Sequence, residues 1–243
     1  PDTYASTYAH CDLLIVGAGP AGIDTALEVM GSNKRIILID EQDELGGGAL
    51  ADPALWPWLE RSRKALIDAP NVTILARTTA FGYYHDNFIG AVQRLTDHSP
   101  DNSDSPREKL WRIRAGEVVL AQGAIERPLV FDGNDTPGVM LSSAAKVFAS
   151  RYGVAVGKSV GLMASHDSGW HDVFALAKAG VGIAAIIDVR ESVDSALMHE
   201  AGRLGITVRL NHSVIGVSGR HGVTSIKICN NDDYLGRRVD CDA

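Results

Sequence analysis

The stretch Asp12-Leu13-Leu14-Ile15-Val16-Gly17-Ala18-Gly19-Pro20-Ala21-Gly22 decides the fold. Residues 12–17 are a short apolar, β-branched run ending in glycine, the pattern of a strand buried on both faces in a parallel sheet. Residues 20–31 then space Ala21, Ile23, Leu27 and Met30 as one face of a helix. Gly17, Gly19 and Gly22 between them read G-x-G-x-x-G. Alone, that hexapeptide is weak. Here a strand precedes it, a helix follows it, and residues 35–41 (Arg-Ile-Ile-Leu-Ile-Asp-Glu) form a second buried strand that ends in acid. The three parts make one strand-helix-strand unit with a right-handed parallel crossover.

That context points to a dinucleotide. Gly17 permits the tight turn, Gly19 lets the backbone approach a pyrophosphate, and Gly22 lets the helix pack closely on the strand. Gly17, Ala18, Gly19, Pro20, Ala21 and Gly22 together form the phosphate loop. The helix N-terminus behind it offers unpaired N–H groups and partial positive charge. Asp40 or Glu41, at the roughly 20-residue spacing of this motif, accepts hydrogen bonds from an adenosine ribose, with Gln42 beside it. An acidic residue there repels a 2′-phosphate, so NAD or FAD is expected over NADP. In Leu45-Gly46-Gly47-Gly48, Gly47 and Gly48 let backbone pass close to the dinucleotide. Thr79-Ala80-Phe81 runs beside the adenine, where the backbone of Ala80 reads its edge.

Outward from this unit, a helix fits 54–69 and a third strand 72–77. Residues 78–96 and 109–121 read as strands joined in an antiparallel hairpin across the polar, proline-bounded loop 97–106. A second strand-helix-strand pattern follows: helix 142–152, strand 159–164, helix 168–180, strand 182–188, helix 192–204 and strand 206–210. Its strand-helix turn reads Met163-Ala164-Ser165-His166-Asp167-Ser168-Gly169-Trp170, without G-x-G-x-x-G. His166, Asp167 and Trp170 there would crowd a pyrophosphate, and Asp167 would repel it. The second unit is therefore read as degenerate.

The chain has 243 residues, 45% hydrophobic and 22% charged, with a net charge of −7. These values exclude disordered, collagen-like and coiled-coil classes. No apolar run nears the roughly 20 residues that span a membrane, and no clustered basic stretch suits nucleic acid. The three cysteines, Cys11, Cys229 and Cys241, form no Cys-x-x-Cys. They read as buried thiols in a reducing compartment, the cytoplasm, and offer neither a zinc site nor a redox dithiol. Three other constellations are weighed. His166, His171 and Asp172 suggest metal ligands, but helix capping by Ser and Asp with exposed His fits them better. His85 and Asp86 beside Tyr83, Tyr84 and Phe88 suit surface or interface packing. Trp56 and Trp58 suit packing or subunit contacts. No carboxylate pair argues acid–base catalysis, so no catalytic residue and no metal site are assigned.

Several strings carry a resemblance. Leu120-Ala121-Gln122-Gly123-Ala124 followed by Pro128 is similar to the domain-crossover motif of two-dinucleotide-domain flavoproteins, the glutathione and thioredoxin reductase type. More specific are residues 82–86 (Gly-Tyr-Tyr-His-Asp), 110–115 (Leu-Trp-Arg-Ile-Arg-Ala), 123–131, 134–141, 151–154 and Asp40-Glu41-Gln42. These resemble the alpha-subunit family of heterotetrameric sarcosine oxidases over almost the whole chain. The resemblance implies an α/β fold of two Rossmann-like three-layer dinucleotide-binding domains, the second inserted in the first. It also implies NAD on the first domain. The beta, gamma and delta subunits are the implied partners, with FAD and FMN on or beside beta. The complete enzyme demethylates sarcosine to glycine with O2, giving H2O2. Tetrahydrofolate, bound by a C-terminal domain outside this sequence, becomes methylenetetrahydrofolate, which places the chain in one-carbon metabolism.

The expected domains are 1–138, an NAD-binding domain with the antiparallel hairpin; 139–236, the degenerate domain; and 237–243, the truncated start of a strand returning to the first domain. By itself such a fragment is expected to be catalytically silent. The alternative is a self-contained FAD- and NAD(P)-dependent oxidoreductase, which needs an intact phosphate loop near 164–170.

Overall fold

One long strand, β1 (Tyr4–Val16), organises the first of two units, which comprise Pro1–Ala124 and Ile125–Ala243. The structure, a computed structural model, describes residues 2–97, 105–232 and 236–243. In the first unit β1 is followed by α1 (Pro20–Val29), β2 (Ile36–Ile39), α2 (Trp56–Asp68) and β3 (Val72–Leu75), then by the meander β4 (Thr78–Tyr84), β5 (Phe88–Arg94) and β6 (Glu108–Leu120). They form one six-stranded sheet in the order β3-β2-β1-β6-β5-β4. β3, β2, β1 and β6 are parallel, and β5 and β4 run antiparallel to their neighbours.

The expected apolar run is the second half of β1. Leu13 and Ile15 face α1 and α2, meeting Ile23, Ala26, Leu59 and Leu66. Leu14 faces the opposite layer with Ile37, Ile39, Leu75 and Ile113. Burial on both faces is what a central parallel strand requires. The first half of β1 extends beyond the sequence expectation. Tyr4, Ser6, Tyr8 and His10 are exposed and alternate with half-buried Ala5, Thr7 and Ala9. This half pairs with β6 through residues 108–115. The meander confirms the antiparallel hairpin between β5 and β6. Of the polar loop expected at 97–106, residues 98–104 lie outside the described residues.

The second unit holds α3 (Ser142–Tyr152), β7 (Ser159–Ala164), α4 (Asp167–Lys178), β8 (Gly182–Asp188), α5 (Ser195–Arg203) and β9 (Val208–Arg209). β7, β8 and β9 form a parallel sheet in that order. An antiparallel sheet follows, β10 (His212–Ser218), β11 (Ser225–Asn230) and β12 (Gly236–Asp240), of which β10 and β11 are absent from the sequence reading and β12 overlaps the strand expected at 237–243. Val160, Leu162 and Ala164 pack on Trp170, Val173 and Phe174 of α4. Ala185 and Ile187 pack instead on Val214, Ile226 and Ile228.

Two boundaries differ from expectation. The units divide after Ala124, not after residue 138. The intervening segment is fastened to the second unit: Asp132 bridges Gly216 of β10, and Glu126 accepts from Ser142 and Ser143 at the start of α3. In the stretch 237–243, expected as the start of a returning strand, residues up to Asp240 are β12. β11 has an edge to pair, and β12 takes it, with Val239 opposite Ile226. Beyond β12, the Asp242 N–H donates to the Ser159 carbonyl and the Gly161 N–H donates to the Ala243 carbonyl, both on the outer edge of β7. Among the described residues no helix is long and apolar enough to cross a membrane.

Candidate dinucleotide site

The turn from β1 to α1 is built by close backbone approaches. Gly17 sits at φ +101°, and a side chain there would strike the backbone of Ala121 just past β6. A side chain at Gly22 would strike the Gly17 carbonyl. Both glycines therefore serve the packing of helix, turn and sheet. Gly19 differs. Its φ is an ordinary −72°, and nothing lies within 4 Å of where its Cβ would stand. Gly48 is likewise open. Gly47, at φ +49°, passes so close that its Cβ would lie 3.0 Å from the Gly19 Cα, and the Gly46 N–H donates to the Ala18 carbonyl at 2.7 Å. Two glycine loops thus cross, leaving open space at Gly19 and Gly48.

The helix start beside that space is bare. Gly19 caps α1 with no side chain, Pro20 stands at the first turn, and no acidic residue lies there. The exposed Pro20 and Ala21 border it. The other helices with a β-strand or loop before them in the second unit are closed by their own side chains: α3 by Glu126, α4 by the ring of His166, α5 by Asp194. An unfilled N-terminus keeps its N–H groups and partial positive charge for an anion.

The acid at the end of β2 is already oriented. Asp40 Oδ2 accepts from the Ala18 N–H at 2.6 Å, and Oδ1 accepts from the Gln42 N–H at 2.8 Å. The buried Ala18 therefore contributes no free N–H to a phosphate; its amide holds Asp40. Each carboxylate oxygen keeps a second acceptor direction. Glu41 and Gln42 are exposed and Ala80 is half-buried. Two residues that the sequence reading did not single out fix this corner. Arg94 Nη2 donates to the Glu41 carbonyl at 2.8 Å, and the Arg77 N–H donates to the Gln42 carbonyl at 2.8 Å. Arg77, at φ +54°, also donates to Asp97 at 2.7 Å. Pairing across strands brings them there, and no local motif signals it.

The corresponding corner of the second unit is filled from within. Asp188, at the end of β8, is fully buried. It accepts from Trp170 Nε1 at 2.7 Å, from Arg190 Nε and Nη2 at 3.0 and 2.8 Å, and from the Arg190 N–H at 2.9 Å. Burial pushes its carboxyl pKa up, but the hydrogen bonds from Arg190 and Trp170 outweigh this and hold it below the usual range. Arg190 Nη1 also grips Asp167 at 2.6 Å, so guanidinium stands where the strand end meets the helix start. Trp170, expected to crowd the turn, is instead wholly inside the core. The cap of α4 is the His166 ring rather than a Ser or Asp, and Asp172 binds Ser142 and Lys146. His171 meets Phe174 edge-on. Asp86 pairs with Arg114 at 3.4 Å on the surface, and Trp56 donates to the Leu50 carbonyl.

Comparison with known proteins agrees with this geometry. The chain is 40% identical over 235 residues to the sarcosine oxidase subunit alpha of Rhizobium meliloti (strain 1021), which covers 94% of this chain and 23% of that subunit. It is therefore a homologue of such subunits and spans about a quarter of their length. The L-proline dehydrogenase of P. horikoshii superposes with a TM-score of 0.59 at 25% identity, covering 100% of this chain and 43% of the other. Lactococcus lactis thioredoxin reductase superposes with a TM-score of 0.69 at 14% identity, covering 96% and 75%, which shows the fold. A family model described as pyridine nucleotide-disulphide oxidoreductase matches residues 11–156. That span takes in the glycine loop, the acidic strand end and the meander, and by it the chain belongs to the pyridine nucleotide-disulphide oxidoreductase family.

Proposed function

We propose that the first unit binds NAD, as the dinucleotide-binding part of the alpha subunit of a multisubunit sarcosine oxidase. The observation that carries this reading is the open cradle: Gly19 and Gly48 face free space beside a helix start that no side chain caps. The residues fit the group. Gly19, Pro20, Ala21 and Gly48 would border the pyrophosphate, Asp40 and Glu41 the ribose, and Gln42 and Ala80 the adenine side. FAD is the alternative occupant. When bound, NAD supplies a nicotinamide ring that takes or gives hydride. This chain's own residues bind and orient: Asp40 holds the loop while keeping acceptor capacity outward, and Arg94 and Arg77 pin the carbonyls of Glu41 and Gln42 so that these side chains stay at the rim. Acid denaturation of the purified protein should release NAD. Release of FAD, with yellow colour before denaturation, would assign the cradle to flavin.

A test of discrimination follows from the acidic corner. Asp40→Ala combined with Glu41→Ala should weaken NAD at least tenfold, since charge-assisted hydrogen bonds of this kind contribute about 1.5–3 kcal/mol. Calorimetry on the parent chain should show NAD preferred over NADP; the reverse order would contradict the assignment of these carboxylates.

The partners in this reading are the beta, gamma and delta subunits, with FAD and FMN on or beside beta, where sarcosine would be oxidised to glycine and O2 reduced to H2O2. A folate-using domain C-terminal to residue 243 would bind tetrahydrofolate. Free, buried Cys11, Cys229 and Cys241 support a reducing, cytoplasmic setting. The chain alone should produce no sarcosine-dependent peroxide, even with added NAD or FAD. Its second unit has no glycine cradle, because Arg190 and Asp167 close that corner, and side chains alone supply no hydride acceptor. Turnover by the isolated chain, free of other subunits, would favour a self-contained oxidoreductase.

A further inference from the structure

Two guanidiniums stand at the acidic corner of the candidate site, and both lean on one carboxylate. Arg94 Nη2 donates to the Glu41 carbonyl at 2.8 Å, and the Arg77 N–H donates to the Gln42 carbonyl at 2.8 Å. The Thr78 N–H donates to the Asp40 carbonyl at 2.7 Å. The start of β4 and the end of β5 thus lie against the run Asp40-Glu41-Gln42. From there Arg77 Nη2 donates to Asp97 Oδ1 at 2.7 Å, and Arg94 Nη1 lies 4.0 Å from Asp97 Oδ2. One carboxylate therefore faces two cations. Donors are left over, since each guanidinium carries several N–H groups. Arg77 Nε is buried and has no hydrogen-bond partner among the described residues.

This arrangement bears on which dinucleotide enters. A guanidinium fork matches a phosphate in shape and charge. NADP differs from NAD by a phosphate on the ribose that Asp40 and Glu41 would border. Those two carboxylates oppose such a group, whereas Arg77 and Arg94, fastened to the next backbone carbonyls, would attract it. We propose that Asp97 is a specificity-determining residue of this site: it engages Arg77 and Arg94, keeps them from serving a 2′-phosphate, and so adds to the exclusion of NADP. The inference rests on the NAD reading above and adds a residue outside the glycine loop and the acidic strand end. The side chains of Arg77 and Asp97 are only 23% and 22% exposed, so their pairing is shielded from the solvent screening that makes surface ion pairs weak.

Calorimetry with NAD and with NADP tests it, on the parent and on Asp97→Asn. Asparagine keeps the side chain's shape and suits a turn, but carries no charge. NADP affinity should rise about tenfold and NAD affinity change by less than about threefold, because freed guanidinium donors make charge-assisted hydrogen bonds to phosphate alone. Asp97→Glu, which keeps the carboxylate, should hold the parent's ratio of the two affinities. Adding Arg94→Gln to Asp97→Asn should remove most of the NADP gain. Asp97→Ser loses the same charge; should Asp97→Asn fail to fold, it must shift the ratio in the same direction. A ratio unmoved by these charge losses, in a protein that binds NAD, would overturn this inference and leave the NAD reading standing. An NADP gain that survives replacement of both Arg77 and Arg94 by Gln would overturn it too. Binding of neither nucleotide by the parent, or of FAD in their place, would overturn both.

Discussion

Gly19→Val is expected to abolish nucleotide binding in a chain that still folds. The backbone at Gly19 already has a φ that any L-residue adopts, and a Cβ there meets nothing within 4 Å. The free protein should lose no more than about 1 kcal/mol, the difference between glycine and a β-branched residue at a helix N-cap. The isopropyl group would, however, stand in the space between Gly19 and Gly48 that a pyrophosphate must enter. Affinity should fall by about 100-fold or more, about 2.7 kcal/mol, read by calorimetry with NAD. Gly22→Val is the contrast. Its side chain would collide with the Gly17 carbonyl in the free protein, so it should unfold the first unit rather than empty it. If Gly19→Val binds NAD as the parent does, the cradle is not the nucleotide site.

The second large effect belongs to Arg190. Replacing it with Leu removes two side-chain hydrogen bonds from Asp188 and one from Asp167, and leaves the buried Asp188 carboxylate held by Trp170 alone among side chains. Breaking one partner of a buried ion pair costs about 3–5 kcal/mol, and the lower end applies because Arg190 is partly exposed. In the parent, the Asp188 pKa lies below its ordinary value of about 3.9. Its contribution is therefore present above that value and is lost as pH falls through the lower folded value. In the variant, burial without the guanidinium raises the folded pKa, so the penalty is greatest at neutral pH and shrinks on acidification as Asp188 takes a proton. Melting curves from pH 7 to pH 3 should show the gap between parent and variant closing. Asp188→Asn added to Arg190→Leu should recover part of the loss. A constant gap at every pH would show that Arg190 acts by packing alone.

Parts of the fold were legible where punctuation was strong. The helix expected at 142–152 and the strands at 159–164 and 182–188 are α3, β7 and β8 to the residue. α3 stops where Gly153 turns left-handed at φ +66°, and β8 is an unbroken apolar run of isoleucines and alanines between Gly182 and Asp188. The first half of β1 was missed because Tyr4, Ser6, Tyr8 and His10 look outward and only small Ala5, Thr7 and Ala9 look inward, which leaves no apolar stripe to find. β10 and β11 were missed because their antiparallel pairing, rather than a local motif, sets them, and the strand expected at 237–243 is β12, with Val239 opposite Ile226. At the candidate site, spacing alone marks Gly17, Gly19, Gly22 and Asp40 as a group. Which backbone groups they use internally, Ala18 on Asp40 and Gly46 on Ala18, depends on loops that cross in space. Arg77 and Arg94 reach Glu41 and Gln42 only because β4 and β5 deliver them.

The length of β1 has a consequence for how the protein is made. Residues 13–16 find β2 as soon as Ile36–Ile39 leave the ribosome, but residues 4–11 have only β6 to pair with. Tyr4 must wait for Glu108, and at roughly 5–20 residues per second that delay lasts several seconds. During it an extended segment carries unpaired N–H and C=O groups with two exposed tyrosines, the kind of edge that recruits other nascent chains. The long strand that orders the finished sheet is thus, during synthesis, the segment left longest without its partner.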